Sequence, residues 1–237
     1  MASFELEVTG MKDKWTVGPQ FNPYMAMNFK WVLPYYVFIL LIRFIGMGNT
    51  GYLLMIPALA KLYSQTLYHK QAYLYQAVPV SSFETVLVKT LVGAIGFLTP
   101  DVGAQIHNFI ACAVKGYKFY LYEQVKYSGL MLHAEAGVVL YYLNIMALAF
   151  LICGIALFGV AVGNRARGDR EKKPNAVTVV LAISVMFLLL YGLFWIMDQI
   201  QFRSALLRGI LQLAGCTFGA GLMFWLNVRA LDKWYSV

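Results

Sequence analysis

The chain carries little of the equipment for making or breaking bonds. Its three cysteines, Cys112, Cys153 and Cys216, stand far apart, with no Cys-x-x-Cys pair and no Cys/His spacing suited to a metal. They read as small apolar packing residues. The dipeptide Gly-Lys never occurs, which removes a phosphate-cradling P-loop. The three histidines, His69, His107 and His133, fall outside the clearest apolar runs, and no Ser/His/Asp set emerges from spacing. One stretch is different in kind: Tyr73-Leu74-Tyr75-Gln76-Ala77-Val78-Pro79-Val80-Ser81-Ser82, running on to Lys89. It is polar and aromatic, has proline near its centre and lies between two apolar runs. Its chemistry is contact rather than catalysis: a short rigid surface on which a soluble partner can push.

Pro79 biases Val78 away from the helical region, so Val78 to Ser82 reads as extended or turn-like. Ser81 or Ser82 then offers an N-cap for a helix starting at Phe83, with Glu84 and Thr85 in its first turn. An ordinary capped loop is the plainer reading of the same residues. Glu84 and Lys89 are five apart, so no i,i+4 ion pair is expected. Arg43 and Glu84, beside thin apolar runs, read as snorkelling side chains.

The elements that must position this stretch are membrane helices. The chain is 60% hydrophobic and 13% charged, against about 45–50% and ~25% in soluble domains. It is therefore an all-α integral membrane protein, and 237 residues suffice for one membrane domain. The net charge of +8 would suggest nucleic acid only if the basic residues formed a patch. They fall instead in the breaks between apolar runs, as membrane topology predicts, so nucleic acid is not expected as a partner.

Residues 1–30 read as a cytosolic or interfacial lead-in without the apolar core of a cleavable signal, and residues 31–237 as the transmembrane domain. Apolar runs place spans at about 31–47, 50–64, 83–99, 136–163, 176–197 and 206–229. The first two are near 15 residues, or ~23 Å, short of the ~30 Å hydrocarbon core, and read as two thin spans. The third stops at Thr99-Pro100-Asp101. Residues 103–132 mix Ile106, Phe109, Ile110 and Val114 with Lys115, Lys118, Glu123 and Lys126, which suits an amphipathic helix in the interface; a partly re-entrant segment remains the alternative there.

The short segment Asn164 to Pro174 holds five basic residues and is expected on the cytoplasmic side. Counting outward gives six helices with both termini cytoplasmic in the plasma membrane. Thirteen of the nineteen basic residues then face the cytoplasm, leaving Arg43, Lys115, Lys118, Lys126, Arg203 and Arg208 outside. Apart from Arg208 and Arg229 at the two ends of the last, the three clearest spans hold no ionisable Asp, Glu, Lys, Arg or His. That argues against an intramembrane acid–base enzyme or proton relay. Gly159-Val160-Ala161-Val162-Gly163 and Gly215-Cys216-Thr217-Phe218-Gly219 are small-xxx-small patterns that permit close helix approach, within one subunit or between two.

The chain resembles the ABC-2 type transporter permeases of Gram-positive bacteria. The likeness centres on Ala72-Tyr73-Leu74-Tyr75-Gln76-Ala77-Val78-Pro79-Val80-Ser81, with Lys89 following eight residues beyond Ser81. Phe29-Lys30-Trp31-Val32-Leu33-Pro34-Tyr35-Tyr36 resembles the family's basic-aromatic approach to the first span. The run Gly159 to Arg167 and the tail Asn227-Val228-Arg229-Ala230-Leu231-Asp232-Lys233 are similar to its fourth-span exit and basic tail. The chain departs from the family pattern at Gln71-Ala72, where an acidic-Gly pair is usual, and at Ala77-Val78.

The resemblance implies a six-helix, type V exporter-like permease subunit. It would pair with itself or a sister subunit, sit in membrane lipid and dock two separate cytosolic ABC ATPase subunits. It would bind no cofactor and be no enzyme, with ATP and Mg held by the partner ATPases. Tyr73, Leu74, Tyr75, Val78, Pro79, Val80, Ser81, Ser82 and Lys89 would form the ATPase-coupling segment. The exported cargo would be amphipathic or lipophilic, such as an antimicrobial peptide or a lipid-like molecule. The alternative is a membrane sensor or immunity protein that binds a peptide without an ATPase.

Overall fold

The computed structural model describes residues 17–45, 54–68, 80–116, 134–165, 176–199 and 205–235. They form six helices: α1 (Phe21–Phe44), α2 (Met55–Tyr68), α3 (Ser82–Lys115), α4 (Ala134–Arg165), α5 (Ala176–Gln199) and α6 (Ala205–Tyr235). No strand occurs among the described residues. Four helices, Phe21–Phe44, Ser82–Lys115, Val139–Arg165 and Leu207–Lys233, are long and apolar enough to cross a membrane, which makes the chain a multi-pass membrane protein. α2, with 14 residues, reaches only ~21 Å, and the apolar stretch of α5 is described over Ala176–Gly192.

Contacts along the helices fix their directions. Tyr36 Oη donates to the Val92 carbonyl at 2.6 Å and Arg43 Nε to the Pro100 carbonyl at 3.2 Å, so α1 and α3 run parallel. Met55 lies against Gly96 and Leu59 against Gly93, so α2 runs antiparallel to α3. α4 and α6 are parallel: Asn144 Nδ2 donates to the Gly209 carbonyl, and Asn227 Nδ2, further along, to the Gly154 carbonyl. The first three helices therefore alternate in direction.

α1 begins ten residues before the apolar run at Trp31. Asn28 and Lys30 lower the local hydropathy, yet Tyr24, Asn28, Val32, Tyr36 and Ile39 recur at three- to four-residue steps and are all buried. That stripe is the face α1 turns to the core, and it starts inside the stretch expected to be a lead-in.

α3 overturns a second expectation. The helix does not stop at Thr99-Pro100-Asp101 but continues for 34 residues in all to Lys115, closed by Gly116 in the left-handed region at φ 70°. Proline removes one backbone donor and crowds the carbonyl four residues back, here that of Gly96. Beside this break Arg43 Nε bonds the Pro100 carbonyl. The first half of 103–132 is thus the distal part of α3, with Ile106, Phe109, Ile110 and Val114 exposed along it; residues 117–133 lie outside the described residues.

Gly93, Gly96, Pro100 and Gly103 line one buried side of α3. A Cβ at Gly96 would stand 2.5 Å from Met55 Cε and Tyr36 Cε1, and one at Gly93 2.7 Å from Cys153 Sγ. One at Gly103 would stand 2.9 Å from the Leu40 carbonyl oxygen. Absent side chains let α1, α2 and α4 close onto α3, as expected where lipid supplies no hydrophobic drive and packing must do the work. Cys153 is the small buried packer the sequence suggested. Gly159 serves the same purpose within the chain, 2.6 Å at its Cβ position from Ile183 of α5, whereas Gly215 faces open space.

Gly96→Val is expected to destabilise the fold by about 1–3 kcal/mol through overpacking. Gly221→Ala, where a Cβ meets nothing within 4 Å, is expected to leave stability unchanged; thermal melts of the detergent-purified protein measure both.

Candidate functional site

The start of α3 is where the distinctive stretch joins the bundle. The helix opens at Ser82, one residue before the expected Phe83, and its N-cap is Ser81, one of the two serines the sequence offers. Its Oγ accepts from the Glu84 backbone N–H at 3.2 Å, while its own N–H donates to Glu84 Oε2 at 2.8 Å. This reciprocal pair is a capping box, available because serine precedes glutamate by three residues.

Glu84 does not snorkel. It is 4% exposed, and its second oxygen, Oε1, accepts from the Gly18 N–H at 2.6 Å. One carboxylate therefore caps α3 and holds the chain just before α1. Sequence reasoning missed this link because the two residues are 66 positions apart.

Lys89 lies seven residues into α3, about 11 Å along its axis, and is fully buried. Its Nζ donates to Asn28 Oδ1 of α1 and, at 3.2 Å, to the Leu62 carbonyl of α2. Asn28 is itself oriented by donating from Nδ2 to the Tyr24 carbonyl at 2.8 Å. An ammonium at this position is costly unless its donors are satisfied, and here one side chain ties three helices together. Asn28 falls in the stretch that reads as a polar lead-in; its place in the Tyr24–Asn28–Val32–Tyr36 stripe is the sequence signal that points to it.

Of the expected contact segment, Ser81, Ser82 and Lys89 are placed at this junction, and Val80 is half-buried against the core. Tyr73, Leu74, Tyr75, Val78 and Pro79 lie outside the described residues. The junction is flanked by Lys61, whose Nζ sits 5.5 Å from the Trp31 ring and 5.3 Å from that of Tyr35. Such cation–π contacts hold a lysine beside aromatic rings at an interface.

A second feature opens between α4 and α6 with α3 at its back. It is a groove of about 310 Å³ lined by Thr90, Met146, Phe150, Gly154, Gly221 and Phe224, among others. That is at the small end of ligand pockets, which run ~300–1,000 Å³. Phe224 is fixed on its inner side by an edge-to-face contact with Phe83, centroids 5.4 Å apart. Among the described residues no group of His, Cys, Asp and Glu is placed to hold a metal ion.

Glu84→Ala is expected to cost about 0.5–2 kcal/mol for the lost cap and to raise amide exchange at both Gly18 and the first turn of α3. Lys89→Ala strips the partner from Asn28 Oδ1 and is expected to cost about 1–3 kcal/mol; hydrogen exchange and thermal melts check the two. Set against known proteins, the chain matches no protein-family model, no curated protein and no solved structure.

Proposed function

We propose that this chain is the membrane-spanning subunit of an ATP-binding cassette exporter, a bacterial ABC-2 type permease with six spans and cytoplasmic termini. In this reading, residues 73 to 82 form the cytoplasmic segment on which separate ATPase subunits act. The observation that carries it is the way the end of that segment is fastened. Ser81 and Glu84 lock the first turn of α3 to the chain entering α1. Lys89 then locks α3 to α1 and α2 together.

A displacement applied at Val80–Ser82 would thus move three helices as one body rather than bend a loop. Rigid elements with buried ties are what transmit force between sites. Without such ties a push on a surface loop would dissipate locally. Two copies, or this chain and a sister subunit, would alternate exposure of a path for an amphipathic or lipophilic cargo, in keeping with a bundle whose interior is aromatic and aliphatic. ATP and Mg would bind the ATPase partners, not this chain.

Extraction in mild detergent is expected to recover a P-loop ATPase with the tagged chain. Pro79→Ala combined with Val80→Asp is expected to abolish that recovery while the membrane subunit itself still folds; unchanged recovery would remove the coupling role. ATPase activity of the complex is expected to rise with at least one member of a panel of cationic peptides and lipids. No response to any amphiphile would sink the cargo class.

A further inference from the structure

The groove between α4 and α6 has a polarity of its own. Its lining runs on α4 from Met146 to Gly154 and on α6 from Thr217 to Phe224, an elongated cleft about 12 Å long at 1.5 Å per residue. It lies within two helices apolar enough to cross a membrane, Val139–Arg165 and Leu207–Lys233. The hydroxyl of Thr90 is turned onto its own helix, donating to the Val86 carbonyl at 2.7 Å and the Leu87 carbonyl at 3.1 Å.

The cleft exists because the two helices are pinned at one depth and lack side chains beside it. Asn227 Nδ2 donates to the Gly154 carbonyl at 2.9 Å and to the Met223 carbonyl at 2.8 Å, which holds α4 against α6. At Gly154 a Cβ would stand 2.9 Å from Met223 Cβ, whereas at Gly221 it would meet nothing within 4 Å.

A cation lies beyond the Phe224 end of the cleft. Gly221, Trp225 and Arg229 follow one another at four-residue steps on one side of α6, so the ridge that borders the groove leads to a guanidinium about 12 Å away. The Arg229 guanidinium carbon sits 4.5 Å from the centroid of the Trp225 ring. Indole and arginine stacked in this way are characteristic of the headgroup level of a membrane, with the ring facing both apolar and polar surroundings.

We propose that this groove is a binding site for an anionic phospholipid, with one acyl chain in the cleft and the headgroup phosphate on Arg229. Apolar lining selects the chain, the elongated shape suits a linear one, and the guanidinium at the end selects the charge. Guanidinium pairs well with phosphate oxygens because its fork matches their geometry. The site follows from the groove and the guanidinium alone and holds with or without an ATPase partner.

The test is native mass spectrometry of the full chain in non-ionic detergent, titrated with phosphatidylglycerol and with phosphatidylcholine of identical acyl chains. The wild type is expected to retain the anionic lipid about fivefold better, the advantage of one basic residue at the surface of an anionic membrane. Arg229→Gln is expected to erase that preference and Arg229→Lys to restore part of it. Gly221→Leu fills the cleft from a position with open space and is expected to reduce retention of both lipids without lowering the melting temperature. Equal retention of the two lipids by the wild type, an unchanged preference in Arg229→Gln, or undiminished retention in Gly221→Leu at an unchanged melting temperature would each overturn the proposal. Should Gly221→Leu lower the melting temperature, Gly221→Ala in the same titration decides: a smaller loss of both lipids supports the cleft, and full retention overturns it.

Discussion

A lysine ammonium withdrawn from water sets the terms for the first half of this bundle. Lys89 is fully buried, and its donors must find acceptors inside the protein because lipid offers none. Asn28 and the Leu62 carbonyl supply them. α1, α2 and α3 are thereby required to meet at one depth. The glycine seam of α3 allows them to meet closely, and Tyr36 and Arg43 repeat the tie further along by bonding the Val92 and Pro100 carbonyls. Helices that could otherwise slide past one another in an apolar medium are held in register by a few polar bonds.

The second half of the chain is organised differently. α4, α5 and α6 pack through apolar side chains and glycines, with Leu151, Ile155 and Met223 at their centre. Asn144 and Asn227 provide the polar ties, each bonding a carbonyl of the neighbouring helix. The groove lies beside these ties, where Gly154 and Gly221 present no side chain. The outer side of α5 remains apolar and exposed, with Val180, Leu181, Leu188 and Tyr191 all at or above 60%, as suits a helix against lipid or another membrane subunit.

The stretch ending at Ser82 gains meaning from this arrangement. A capped helix start is common and says little alone. Here the glutamate of the cap also holds the chain at Gly18, and the lysine one turn and a half later holds two further helices. The proposed coupling role rests on that sequence of bonds, which gives a segment at the bundle's end purchase on its interior.

Composition determined that the chain is helical and built for a membrane, because 60% apolar residues in runs separated by basic breaks have no other stable home. The Ser81–Glu84 cap was legible because its bonds span three residues. The clear runs from Ala136, Ala176 and Leu206 correspond closely to α4, α5 and α6 for the same reason: long stretches without polar residues declare themselves. What tertiary structure decided are the places where a polar residue is tolerated by a distant partner. Asn28 and Lys89 lie 61 positions apart and Arg43 and Pro100 57, so hydropathy placed breaks at Lys30 and at Pro100 where the helices continue. Local pattern records what a residue would cost in lipid; only the fold supplies the acceptor or the neighbouring glycine that lowers that cost.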